Sequence, residues 1–124
     1  MITKYLVIDL QITEICDSYE RAQEIAQSWA EASFANLRDA DDDDIRRWAS
    51  MPDCGLETGD IEIATVTWDD DEWQDLIDTH FGGKAPFGQV ASGRYLRDAI
   101  TESEIAVDGH EATLAEARKR GLIR

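Results

Sequence analysis

The sequence predicts a single α+β domain, residues 1–124, in which a small mixed sheet of about three strands is covered by helices. Three observations lead there. Residues 5–12 and Ile61–Trp68 carry apolar and β-branched side chains at strand spacing, whereas residues 22–37 repeat apolar positions at helical spacing. A chain of 124 residues that is 43% hydrophobic has enough apolar material for one core and not for two. Three strands cannot bury a face by themselves, so the helices must supply the second layer.

The first strand is read over residues 5–12, with Leu6, Ile8 and Leu10 on one face and Tyr5 and Val7 on the other. Asp17-Ser18-Tyr19-Glu20 has the form of a capping box with Asp17 as the cap, and Ala22, Ile25, Ala26, Trp29, Ser33 and Leu37 then mark a helical face. A shorter helix opens within Asp41 to Asp44, shows Ile45, Trp48 and Ala49 on one side, and ends before Pro52. Residues 61–68 form the second strand. In the next helix Asp69 caps, Glu72 reaches back, Trp68 packs on Trp73 as a hydrophobic staple, and Gly82 stops the chain. A glycine-bearing loop through Gly83, Pro86 and Gly88 leads to a helical stretch over residues 92–100. Residues 104–107 read as a third strand, although Thr101-Glu102-Ser103-Glu104 also imitates a capping box. Residues 108–120 close as a helix, with Gly121 as the stop and Leu122 and Ile123 folding back. The order β-α-α-β-α-α-β-α has crossovers long enough for parallel pairing.

Charge is the strongest functional signal. Lys and Arg total 12 against 27 Asp and Glu, a formal charge of −15. Such a surface disfavours direct binding to nucleic acid or an anionic membrane, each of which needs positive charge, and favours a basic or nucleic-acid-binding protein as partner. Fifteen acids and two bases lie in residues 39–78, while Arg118, Lys119, Arg120 and Arg124 form a basic cluster near the end. Cys16 and Cys54 are too few for a disulfide framework and the N-terminus lacks the layout of a secretory signal, so cytoplasmic residence is expected.

The runs Asp41-Asp42-Asp43-Asp44 and Asp69-Asp70-Asp71-Glu72 admit three readings. Both can open helices, where carboxylates satisfy orphan amides and oppose the macrodipole. Either can hold a loose divalent cation, but an EF-hand loop needs glycine at its sixth position, which is Arg46 in one run and Gln74 in the other. Finally, carboxylates one helical turn apart lie about 6 Å from each other, on the scale of successive phosphates, so an acidic helix face can fill a Lys/Arg groove. The candidate partner-binding residues are therefore Asp41, Asp42, Asp43, Asp44, Asp69, Asp70, Asp71, Glu72 and Asp75, with Trp48 and Trp73 as aromatic anchors or core residues.

Catalytic and cofactor signals are weak. Cys16, Cys54, His80 and His110 lack the paired spacing of a zinc site, no Gly-x-Ser-x-Gly elbow occurs, and Gly82-Gly83-Lys84 lacks the remainder of a P-loop. No cofactor or metal is therefore expected. Val107-Asp108-Gly109-His110, with Leu114, Ala117, Gly121 and Leu122, resembles the strand-turn-helix of the ParB-like nuclease or CTPase family, but Glu111-Ala112-Thr113 stands where that family has a phosphate-holding arginine. The match is thus one of glycine punctuation. The expected function is a small acidic inhibitor that blocks the nucleic-acid groove of its target, similar in size and charge to phage or mobile-element proteins that silence CRISPR or restriction systems. The alternatives are a metal- or carboxylate-dependent enzyme acting on nucleotides and a non-catalytic regulatory subunit.

Overall fold

A computed structural model describes residues 1–9, 11–51, 59–86 and 88–124. The elements in chain order are β1 (Ile2–Ile8), β2 (Ile12–Cys16), α1 (Tyr19–Asp39), α2 (Asp42–Ala49), β3 (Ile61–Trp68), α3 (Asp70–His80), β4 (Gly88–Ala91), α4 (Arg94–Asp98), β5 (Glu102–Val107) and α5 (Gly109–Lys119). The α+β class is as expected. The sheet differs: among the described residues it has five strands in the order β4-β2-β1-β3-β5, and every pairing is antiparallel, so it is neither three-stranded nor mixed.

Two strands were hidden in the sequence. Residues 5–12 read as one strand because apolar residues continue at every second position, yet the chain reverses within them. Asp9 drives the reversal: its Oδ1 accepts the backbone N–H groups of Gln11 at 2.8 Å and Ile12 at 2.7 Å. An Asp side chain that bonds amides two and three residues ahead imitates a backbone turn, so no glycine is needed. Tyr5 then sits opposite Cys16 and Ile8 opposite Thr13. The second hidden strand, β4, is four residues long and begins at Gly88, too short and too weak in strand formers to stand out. The helix expected over residues 92–100 follows it but is shorter at both ends, α4 keeping the five residues Arg94–Asp98. Residues 101–107 resolve in favour of the strand.

The central strand β1 is buried on both faces, and its alternation sorts two cores. Val7 faces α1 with Cys16, Ala22, Ile25, Ile61 and Ile63. Leu6 and Ile8 face the other side with Ala64, Val66, Trp68 and Leu96, where α3 and α4 cover the sheet. Small alanines at positions 22, 26 and 30 of α1, all buried, let a 21-residue helix lie close against the strands. A third cluster, Leu37, Ile45 and Ala117 with Leu122 and Ile123, packs α2 and α5 on the far end of α1. Full burial of residues such as Leu6, Ile45 and Leu96 is worth about 1.5–3 kcal/mol each.

Helix ends follow the capping signals with one displacement. The cap of α1 is Ser18, whose side chain accepts the Arg21 N–H, and Asp17 instead pairs with Lys4. Asp41 caps α2, and Asp69 with Glu72 forms a full capping box on α3. At the end of α5, Gly121 takes a left-handed φ of 74°, with its N–H on Arg118 O and Leu122 N–H on Ala117 O at 2.9 Å. Both bonds of a Schellman motif are therefore present, and they turn Leu122 onto the third cluster. Leu10, Pro52 and Cys54, used in the sequence reading, lie outside the described residues. Among the described residues no helix is long and apolar enough to cross a membrane.

Candidate acidic interface

The fold does not bring the two acidic runs together. Strand β3 leads directly into Asp69, so the α3 run sits at the Trp68 end of the sheet, beside Ile2 and the amino terminus. Helix α2 belongs to the layer of α1 and α5, past the Ile61 end where α5 begins. Eight residues of β3 separate those ends, about 23 Å at 3.3 Å per step.

Local chemistry differs as sharply as position. In the α2 run every carboxylate has a partner: Asp41 Oδ1 accepts the Asp44 N–H at 2.8 Å, Asp42 meets Arg120 at 3.2 Å, Asp43 meets Arg46 at 3.1 Å, and Asp44 meets Arg47 at 2.8 Å. Arg120 does more than neutralise Asp42. Its guanidinium also donates to the carbonyls of Leu37, Arg38 and Ala40 and to Glu116, joining the end of α1, the start of α2 and the end of α5. These carbonyls lie where the helix runs out of i+4 donors, Leu37 O also accepting the Ala40 N–H at 3.3 Å, and a planar cation with five N–H groups matches them. Glu116 and Asp42 hold the Arg120 proton even more firmly than usual. One member of the basic cluster is thus a structural tie.

The α3 run is mostly unneutralised. Asp69 and Glu72 are occupied by the capping box, and the Glu72 amide holds the Asp69 carboxyl below its ordinary range. Asp70 faces the terminal amine at 3.5 Å. Asp71, Asp75 and Asp78 follow at i, i+4 and i+7, all exposed, and no cation pairs with them among the described residues. Asp78 accepts one neutral hydrogen bond, from Gln74 at 3.0 Å. The result is a stripe of three carboxylates one turn apart along the outer face of an 11-residue helix.

Both candidate aromatic anchors are half-buried. Trp73 lies on Trp68 with ring centroids 5.0 Å apart, which is the expected staple, and carries the Lys4 ammonium over its ring at 5.7 Å. Trp48 packs into the third cluster. Of the possible metal ligands, Cys16 lies beneath α1, where burial pushes its thiol pKa up, and His80 stacks on Tyr95 at 3.8 Å on the opposite face of the sheet. Among the described residues no three His, Cys, Asp or Glu side chains are grouped so as to hold a metal ion.

Sequence reasoning missed a second exposed region. Phe34 on α1 and Ile105 on β5 are 44% and 53% exposed, and neither carries a motif that marks it. No protein-family model matches the chain, and no curated protein or solved structure matches it either.

Proposed function

We propose that this chain is a small, non-catalytic, acidic binding protein that occupies the cationic groove of a nucleic-acid-binding protein, with α3 in the place of a phosphate backbone. The observation that carries this reading is the stripe Asp71, Asp75 and Asp78, which has no internal cation to neutralise it among the described residues. Carboxylates spaced about 6 Å apart on a rigid helix present a row of negative charge without the entropy of a flexible tail. The surplus of acids over bases adds a long-range field that draws in a basic partner and repels nucleic acid. Asp42, Asp43 and Asp44 serve their own helix in this reading, so contact with the partner is concentrated on α3, with Asp70, Glu72 and Trp73 at its border. A CRISPR or restriction complex silenced by a phage or mobile-element protein is the target class that the size and charge favour.

The test compares the parent chain with the Asp71→Asn, Asp75→Asn, Asp78→Asn triple variant as immobilised bait in lysate of the source cell. The reading requires three results together. A nucleic-acid-binding protein is retained by the parent, DNA or RNA releases it competitively, and the triple variant retains it at least tenfold less. Retention that ignores both the nucleic acid and the substitutions overturns it.

A further inference from the structure

Strand β5 is an edge, and the side facing away from β3 carries backbone N–H and C=O groups that no described residue pairs. Its two flanks are also incomplete. On the α1 side, Tyr19, Ala30, Phe34, Glu104 and Ala106 line a groove of 340 Å³ between helix and strand. On the other side Ile105 stands more than half exposed beside Glu62. A strand laid along β5 would send alternate side chains to the two flanks, into the groove over Phe34 and beside Ile105. One added segment would thus cover both exposed apolar residues and pair the edge.

Charge decides which segment. Glu102 and Glu104 both lie on the α1 flank, opposite Thr65 and Ile63. Neither has a cationic partner among the described residues, and Glu104 accepts a hydrogen bond from the Tyr19 hydroxyl. Among the described residues no Lys or Arg lines the groove. A second copy of β5 would bring two further glutamates against these two on a molecule already at −15, which opposes self-pairing. We infer that the β5 edge receives an extended segment of a partner protein in which basic and apolar residues alternate, added to the sheet as a sixth strand. The basic residues meet Glu102 and Glu104, and the main chain bonds the edge. This surface is built from residues of α1 and β5 and uses none of the α3 stripe, so it stands or falls independently of the function proposed above.

The probe is an end-blocked peptide, Lys-Val-Lys-Val-Lys-Val, titrated into the intact protein with backbone amide NMR signals as the readout. Saturable binding with the largest shifts in residues 102–107 is expected. A peptide with proline at the central valine loses an amide donor and should bind at least tenfold more weakly. Phe34→Arg and Ile105→Arg change exposed positions and should each weaken binding at least fivefold, whereas the α3 triple variant should leave it within twofold. The inference is overturned by shifts centred on residues 70–80, equal binding of the proline peptide, no effect of both arginine substitutions, or no binding up to millimolar peptide. Concentration-dependent dimerisation with the same residues protected would overturn it in favour of a second copy.

Discussion

Two paired substitutions separate acids that serve the fold from acids that are surplus to it. Asp43 and Asp44 each face an arginine three residues on, at 3.1 Å and 2.8 Å, in the first turn of α2. Each exposed pair is worth about 0.3–0.5 kcal/mol, and each first-turn carboxylate gains about 0.3–1 kcal/mol from the helix dipole. The Asp43→Asn, Asp44→Asn variant should therefore lose about 1–2 kcal/mol after allowing for solvent screening. Unfolding entropy of about 2.1 cal/mol/K per residue turns that into a melting point lower by about 4–8 °C. Asp71→Asn, Asp75→Asn loses one dipole contact but relieves like charges at i, i+3 and i+4, worth about 0.2–0.5 kcal/mol each, so its melting point should stay within about 2 °C. Calorimetry of both variants at low salt, repeated in 1 M NaCl, is the assay. At high salt the Debye length falls to about 3 Å and the gap between the variants should narrow. Equal losses in the two variants, or a larger loss in α3, would refute the assignment of α2 charge to the fold and α3 charge to a partner.

Ile45, fully buried between α1, α2 and α5, should cost about 2–5 kcal/mol on Ile45→Ala and about 0.5–1.5 kcal/mol on Ile45→Val, read by denaturant unfolding. Arg120→Lys keeps the charge but cannot match the fork of carbonyl and carboxylate acceptors. Amide exchange should therefore quicken in residues 37–45 while the sheet stays protected; unchanged exchange would remove Arg120 as the tie. The Asp69 carboxyl is more acidic folded than unfolded, because the Glu72 amide bonds its charged form. Its contribution is present above the ordinary carboxylate range near pH 4 and is lost as pH falls through the folded value, so Asp69→Asn should flatten the acid limb of a stability-against-pH curve.

Local rules settled much of this molecule. The cap at Asp41, the capping box at Asp69, the staple of Trp68 on Trp73, the glycine stop at Gly121 and the strand β3 all follow from contacts within a few residues, where sequence spacing and spatial distance are nearly the same thing. So does the first-turn placement of both acidic runs. The turn at Asp9 was not legible, because period-two alternation runs unbroken through a reversal made by a single side chain. Sheet order was not legible either, since pairing Ile2 with Trp68 or Thr65 with Glu102 depends on how the helices return the chain. The two acidic runs are alike in opening helices, but Arg46 and Arg47 follow only the first at i+3, a difference already legible in the sequence. The tertiary fold adds to that difference by carrying Arg120, 78 residues away, to Asp42, and it leaves the outer face of α3 without a cation among the described residues. Composition determined that the molecule would be strongly negative, because charge is a sum over residues. The neutralisation of Asp42 by Arg120 was decided by the packing of α5 against α1 and α2, because that ion pair depends on a distance that only the folded chain defines.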